Sequence, residues 1–155
     1  MTSSSESALS QEHASLPRVE FGFPGPLREE LVAAVLQGRK TATTSLLREY
    51  RHDGEPLPEA GSRAVVIDSA ATPVGVVEIT DVRVVALSEV DLAHARDEGE
   101  GHESLASWRS AHEEFWHSPE MRTALGDPEF TVDDATEVVL ERFRLIEGIP
   151  GYRPR

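Results

Sequence analysis

Gly38-Arg39-Lys40-Thr41-Ala42-Thr43-Thr44-Ser45-Leu46-Leu47 decides how this chain is read. The stretch marks a switch from helix to strand. Upstream, Leu27, Leu31, Ala34 and Val35 form an apolar stripe, Pro26 suits a first helical turn, and Gly38 is placed to end the helix. Downstream, residues 40–47 are rich in threonine and favour strand. The stretch also holds the chain's one lysine, since 14 of its 15 Lys and Arg residues are arginine. An ammonium can be desolvated and lose its proton near neutrality, whereas a guanidinium effectively never does. Lys40 is therefore a candidate for proton transfer, and a lysine on a solvated surface is the plain alternative.

Beyond this stretch, residues 51–61 read as a polar loop and 63–68 as a short buried strand. Pro73-Val74-Gly75 turns the chain into a long β stretch at 76–85. Residues 88–95 suit a short helix, followed by the acidic loop Asp97-Glu98-Gly99-Glu100-Gly101. A second long helix spans about 103–117, with Leu105, Trp108, His112 and Phe115 on one face. Trp108 and Phe115 read as core; Tyr50 and Trp116 read as freer. Val139, Glu141, Phe143 and Leu145 alternate along residues 136–146, as in a half-buried strand. Four strands and two interposed helices make no repeated βαβ unit. They predict an α+β domain on a small, mostly antiparallel barrel or curled sheet with flanking helices. Residues 1–16, rich in serine and poor in apolar side chains, read as a disordered tail ahead of one domain at 17–150.

No stretch approaches the roughly 20 apolar residues that span a bilayer, and the N-terminus lacks the apolar run of a secretory signal. The absence of cysteine excludes disulfides, thiolate metal sites and a cysteine nucleophile. Together these point to the cytoplasm and away from membranes. The net charge of -13 repels bulk polyanion. Duplex DNA needs a basic face that this composition does not supply. Arg39, Lys40, Arg48 and Arg51 form a local surplus against Glu49, which favours a small ligand or a short single strand.

Three constellations could carry chemistry. His112 and His117 look like a zinc helix, but they are five apart and diverge by about 140°, where a helical pair needs a spacing of four. No metal site is expected there. Asp97, Glu98, Glu100 and Glu103 repel one another and gain from a nearby cation, with a solvated acidic turn as the alternative. Lys40 and Thr43 are three apart; a bulge or turn would let them share a pocket, while a regular strand would set them on opposite sides. A threonine hydroxyl becomes a nucleophile once a base takes its proton, and a carboxylate could hold that base.

Gly38, Lys40 and Thr43 match the Gly-x-Lys-x-x-Thr hallmark of the ASCH family, a branch of the PUA-like β-barrel proteins, and the chain resembles that family over roughly residues 21–147. The likeness extends through Leu47 to Tyr50, and to Glu98-Gly99-Glu100-Gly101, Ser104-Leu105, Trp108-Arg109, His112, Phe115 and Glu141-Arg142-Phe143. The resemblance implies a PUA-like barrel with a cleft beside the hallmark and RNA or nucleoside ligands. One branch of the family hydrolyses the acetyl amide of N4-acetylcytidine with a threonine, a lysine and a glutamate. By motif position these fall on Thr43, Lys40 and Glu98. Another branch is associated with ribonuclease activity, with Tyr50 and Ser104 as pocket positions. The same matching places Arg39, Thr41, Ser45, Glu100 and Arg109 among the substrate-binding residues. The chain departs from the bacterial subgroup it resembles at His102, where Asp is expected, and at Trp116, where Phe is usual, and its segment after Glu98 differs from that of the branch that hydrolyses N4-acetylcytidine.

Three readings follow. One is a hydrolase of RNA or of a modified nucleoside, using no metal or organic cofactor. Another is a module that binds single-stranded RNA or a modified base without chemistry. A regulatory partner of another protein is a third reading, resting only on the acidic surface and the tail.

Overall fold

The computed structural model describes residues 15–152, and most of the expected tail, residues 1–14, lies outside them. In chain order the elements are β1 (Arg18–Val19), α1 (Pro26–Leu36), β2 (Ala42–Leu46), α2 (Leu47–Asp53), β3 (Arg63–Ile67) and β4 (Pro73–Ala86). A 3-10 turn (Leu87–Glu89), α3 (Leu92–Asp97), α4 (Leu105–Trp116), α5 (Pro119–Leu125) and β5 (Glu137–Gly148) follow. The strands form one five-stranded sheet in the order β1-β3-β4-β5-β2. Only the β1–β3 pair is parallel. The α+β architecture is the expected one. The sheet is open, with β1 and β2 at its edges, and its long central pair is bent by register shifts at Val76/Val77 and Ile79/Asp81.

Period-2 alternation sends side chains to two cores. On one face Leu46, Val138 and Leu140 pack with Trp108, Trp116, Met121 and Leu125 from α4 and α5. On the other, Phe143, Ile79 and Val77 pack with Phe21 and with Val32 and Val35 of α1. Trp116 corrects an expectation: it is buried, not free. The inward stripe of α4 runs Trp108–His112–Trp116, at spacings of four, which leaves Leu105 exposed. Helices α2 and α5 were not anticipated. The second starts at Pro119 under a Ser118 side-chain cap and ends at Gly126.

Helix α1 is pinned at its start. The buried Arg28 donates to Phe21 O and Gly22 O, while Glu29 accepts from Ser69 N and the Tyr152 hydroxyl. These bonds fix the helix whose far end positions the lysine.

Candidate functional site

Gly38 takes a φ of 81° just beyond α1. The amides of Arg39 and Lys40 both fold back to donate to Ala34 O, at 2.9 and 3.1 Å. From there the chain alternates into β2, and Lys40, Ala42, Thr44 and Leu46 are the buried set. Lys40 Nζ donates to Ala42 O at 3.0 Å, Glu98 O at 3.3 Å and Glu100 Oε2 at 3.2 Å. Three acceptors use the three donors of an ammonium. The amine also lies 5.8 Å from the centre of the Phe21 ring.

Glu98 follows directly on α3, one turn after His94. Its carboxylate is a hub, with a side chain only 1% exposed. Thr44 Oγ1 donates to Oε2 at 2.6 Å, His112 Nε2 lies 3.1 Å from Oε1, and His94 Nε2 lies 3.3 Å from Oε2. Burial pushes this carboxyl up. The hydrogen bonds from His112 and His94 and the charge of Lys40 outweigh it and hold the group well below its ordinary range. His112 donates through both nitrogens, because its Nδ1 faces Trp108 O at 2.9 Å, its Nε2 faces the ionised Glu98 carboxylate at 3.1 Å, and neither a carbonyl nor a carboxylate can donate. The ring is therefore an imidazolium. Burial opposes that charge, but Glu98 more than compensates and raises its pKa. The Thr44 proton goes to Glu98, so His94 Nε2–H donates to Thr44 Oγ1 at 2.9 Å. His94 Nδ1 is buried and has no hydrogen-bond partner among the described residues.

Glu98, Glu100 and His112 each bring one ligand atom within 4.8 Å of the others, an arrangement that could hold a metal ion. Here Lys40 supplies the positive charge to the two carboxylates, and both nitrogens of the imidazolium are occupied by protons. His117 is apart from this group; its Nε2 accepts from Val132 N.

A cleft of about 730 Å³ opens beside the hub. Leu27, Leu31 and Ala34 of α1 give it an apolar wall, and Arg39, Glu100 and His102 give it a polar rim. Lys40 and Glu98 do not line it. Glu100 connects the two, one carboxylate oxygen on Lys40 and its side chain 24% exposed. The loop is held against the lysine by contact through Gly99, with φ 73°. A Cβ at that position would lie within 2.4 Å of Arg39 O, so only glycine fits.

Thr43 turns the other way. It pairs across the sheet with Glu141, a register that sets both side chains on one face. Glu141 is 5% exposed and accepts from the Tyr50 hydroxyl at 2.9 Å. Burial pushes the Glu141 carboxyl up, more than that hydrogen bond and the charge of Lys40 bring it down. The Tyr50 hydroxyl is pushed up as well, by burial and by Glu141, and Ser45 hydrogen-bonds to it. No hydrogen bond joins Thr43 to Lys40 or Glu98 among the described residues; the hydroxyl that meets Glu98 is Thr44.

The expected pocket thus divides. Arg39 and Glu100 reach the cleft, while Ser45 and Tyr50 belong to the Glu141 face. Thr41 Oγ1 donates to Asp97 O. Ser104 is the cap of α4, accepting from Ser107 N. Arg109 is tied to Glu113 and Asp134 beside a separate hollow of about 220 Å³. Thr44, His94 and Glu141 were missed as site residues. Strand parity counted from Lys40 points to Thr44, and the i,i+4 spacing of His94 and Glu98 was present in the sequence.

An open, mostly antiparallel sheet with flanking helices and a buried lysine–glutamate hub beside a cleft defines a PUA-like α+β domain. Residues 18–147 match the ASCH domain family, and the chain belongs to it. At the level of the family this is an RNA-binding domain. An ASCH domain from Lactobacillus crispatus JV V101 is 28% identical with a TM-score of 0.73, over 94% of this chain and 91% of that one. Protein EF3133 from Enterococcus faecalis V583 is 26% identical with a TM-score of 0.74, over 86% of this chain and 78% of that one. No curated protein matches the chain. Among the described residues no helix is long and apolar enough to cross a membrane.

Proposed function

We propose that this domain holds single-stranded RNA or a modified nucleoside in the cleft beside Lys40, without a metal or organic cofactor. One observation carries the reading: an acidic chain buries its only lysine and links it to a cleft through a single carboxylate. The apolar wall of α1 suits the face of a base, and the Arg39 guanidinium suits a phosphate. The charge is local, in keeping with a short strand rather than duplex DNA. Fluorescence anisotropy with a labelled single-stranded oligoribonucleotide, in EDTA, tests it. Arg39→Ala should weaken binding about tenfold and reduce the salt slope by about one. Absence of binding to any single-stranded RNA or nucleoside at millimolar concentration overturns the reading.

A second reading, metal-independent hydrolysis, is favoured by Thr43. Its hydroxyl has no hydrogen-bond partner among the described residues and shares a face with the Glu141 carboxyl, whose pKa burial raises and so makes it a stronger base than an exposed carboxylate. In this reading Thr43 attacks the acyl or phosphoryl centre as Glu141 takes its proton, Glu141 returns that proton to the leaving group, and water then releases the group held on Thr43. The substrate is an RNA phosphodiester or an N4-acyl cytidine. Purified protein in EDTA, given single-stranded RNA and separately N4-acetylcytidine, decides it. Turnover of neither leaves binding alone.

A further inference from the structure

Lys40 lies within 4 Å of two carboxylates, those of Glu98 and Glu100. The two carboxylates are held very differently. Glu98 is met by Thr44, His94, His112 and Lys40 and is shut away from water. Glu100 has Lys40 as its one hydrogen-bond partner among the described residues, and its side chain lies on the cleft. The other two acceptors of Lys40, Ala42 O and Glu98 O, are main-chain atoms that cannot leave. If Glu100 swings out, Lys40 loses one acceptor and the nearer of its two carboxylates, and one ammonium donor is left unpaired toward the cleft. A buried ammonium donor left unpaired is costly even with Glu98 still 3.8 Å away, so the vacated position calls for another acceptor, and an oxyanion also restores the lost charge. Glu100 stands between Gly99 and Gly101, both with left-handed backbone, so its short segment carries no bulky neighbours. Arg39 is on the same rim, its guanidinium donating to Gly99 O at 3.4 Å.

We infer that Glu100 is a displaceable stand-in for an oxyanion of the ligand, and that the position its carboxylate fills on Lys40 is an anion subsite for a phosphate or carboxylate group. The inference rests on the cleft reading given above. It adds that the ligand binds by exchange: its oxyanion takes the third donor of Lys40 as Glu100 moves into solvent. The resident carboxylate sets a threshold that neutral ligands do not cross, so a nucleoside lacking phosphate binds at the cleft wall without reaching Lys40.

A solitary lysine makes the test direct. Protein labelled with ¹³C and ¹⁵N in lysine alone gives one side-chain signal, that of Lys40. Wild type, Glu100→Gln and Glu30→Gln are titrated with inorganic phosphate, acetate and a short oligoribonucleotide. Glu30→Gln removes the same charge from the cleft wall without touching Lys40. The expected result is that Glu100→Gln tightens phosphate and oligonucleotide binding by roughly fivefold or more and that both move the Lys40 signal. Tightening confined to acetate supports the subsite and assigns it to a carboxylate ligand. Equal effects of Glu100→Gln and Glu30→Gln reduce the matter to net charge and overturn the inference. Oligonucleotide binding that leaves the Lys40 signal unmoved overturns the subsite while the RNA reading stands. Phosphate binding strengthened by Glu100→Gln, with no oligonucleotide bound by any variant, leaves the subsite standing and removes the RNA reading.

Discussion

Lys40 Nζ stands 3.8 Å from Glu98 Oε1, and each side chain is 1% exposed. Two charges this deeply withdrawn from water depend on each other. Removing one partner of such a pair leaves an uncompensated charge, at a cost of about 3–5 kcal/mol. Lys40→Ala should therefore destabilise the fold by that amount in urea denaturation. A loss below about 1 kcal/mol would mean that the amine is not structurally committed.

Neighbouring threonines should behave as opposites. Thr44→Val removes the 2.6 Å bond to Glu98 and leaves His94 Nε2 with only its 3.3 Å contact to Glu98 Oε2, for a loss of about 1–3 kcal/mol. Thr43→Val keeps the β-branched shape at a hydroxyl with no hydrogen bond among the described residues, and should change stability by less than about 0.5 kcal/mol. If the domain is a hydrolase, Thr43→Val abolishes turnover while its denaturation curve matches wild type. Comparable losses of stability from the two changes would refute the division of faces.

Acidity should favour the fold. Glu98 lies below its ordinary value of 4.5 when folded, so its contribution is complete above 4.5 and is lost as pH falls through the lower folded value. His112 lies above 6.5 when folded, so its contribution is complete below 6.5 and is lost as pH rises through the higher folded value. Glu49 and Glu141 are also raised, by burial, and the stability they lend shrinks as pH rises through their folded values. The urea midpoint should be higher at about pH 6 than at about pH 8.5, and His112→Gln should flatten that fall. Equal midpoints at the two pH values would contradict the imidazolium.

Gly99→Ala should disturb two segments at once. The added methyl collides with the Arg39 carbonyl at 2.4 Å, and a φ of 73° is strained for any side chain. A loss of about 1–3 kcal/mol is expected, together with an altered Lys40 signal in the labelled protein. Gly101→Ala meets open space and should leave the Lys40 signal in place despite its own strained φ. An unshifted Lys40 signal in Gly99→Ala would show that the loop and the lysine are not in contact.

The helix-to-strand switch at Gly38 and the alternation in β5 were legible because local periodicity is written in consecutive side chains. Trp116 was misjudged because α4 can be wound with either of two stripes, and only the packing of α5 and β5 chooses between them. The site was legible in part. Lys40 and Glu98 stood out by residue type and motif, but that Thr44 rather than Thr43 hydrogen-bonds Glu98 did not. Parity along β2 sets Thr44, not Thr43, on the face of Lys40. Glu141 passed as one member of an apolar alternation. Its partnership with Tyr50 spans 91 positions and leaves no trace in local spacing.

The bonds from Lys40 to residues 98 and 100 cross 58 and 60 positions of chain. The amine leaves water only once the acidic loop has docked on the end of α1. A molecule still assembling keeps that nitrogen bare to acylating reagents, and a finished one shields it. The reactivity of one side chain thus reports whether the two halves of the chain have met.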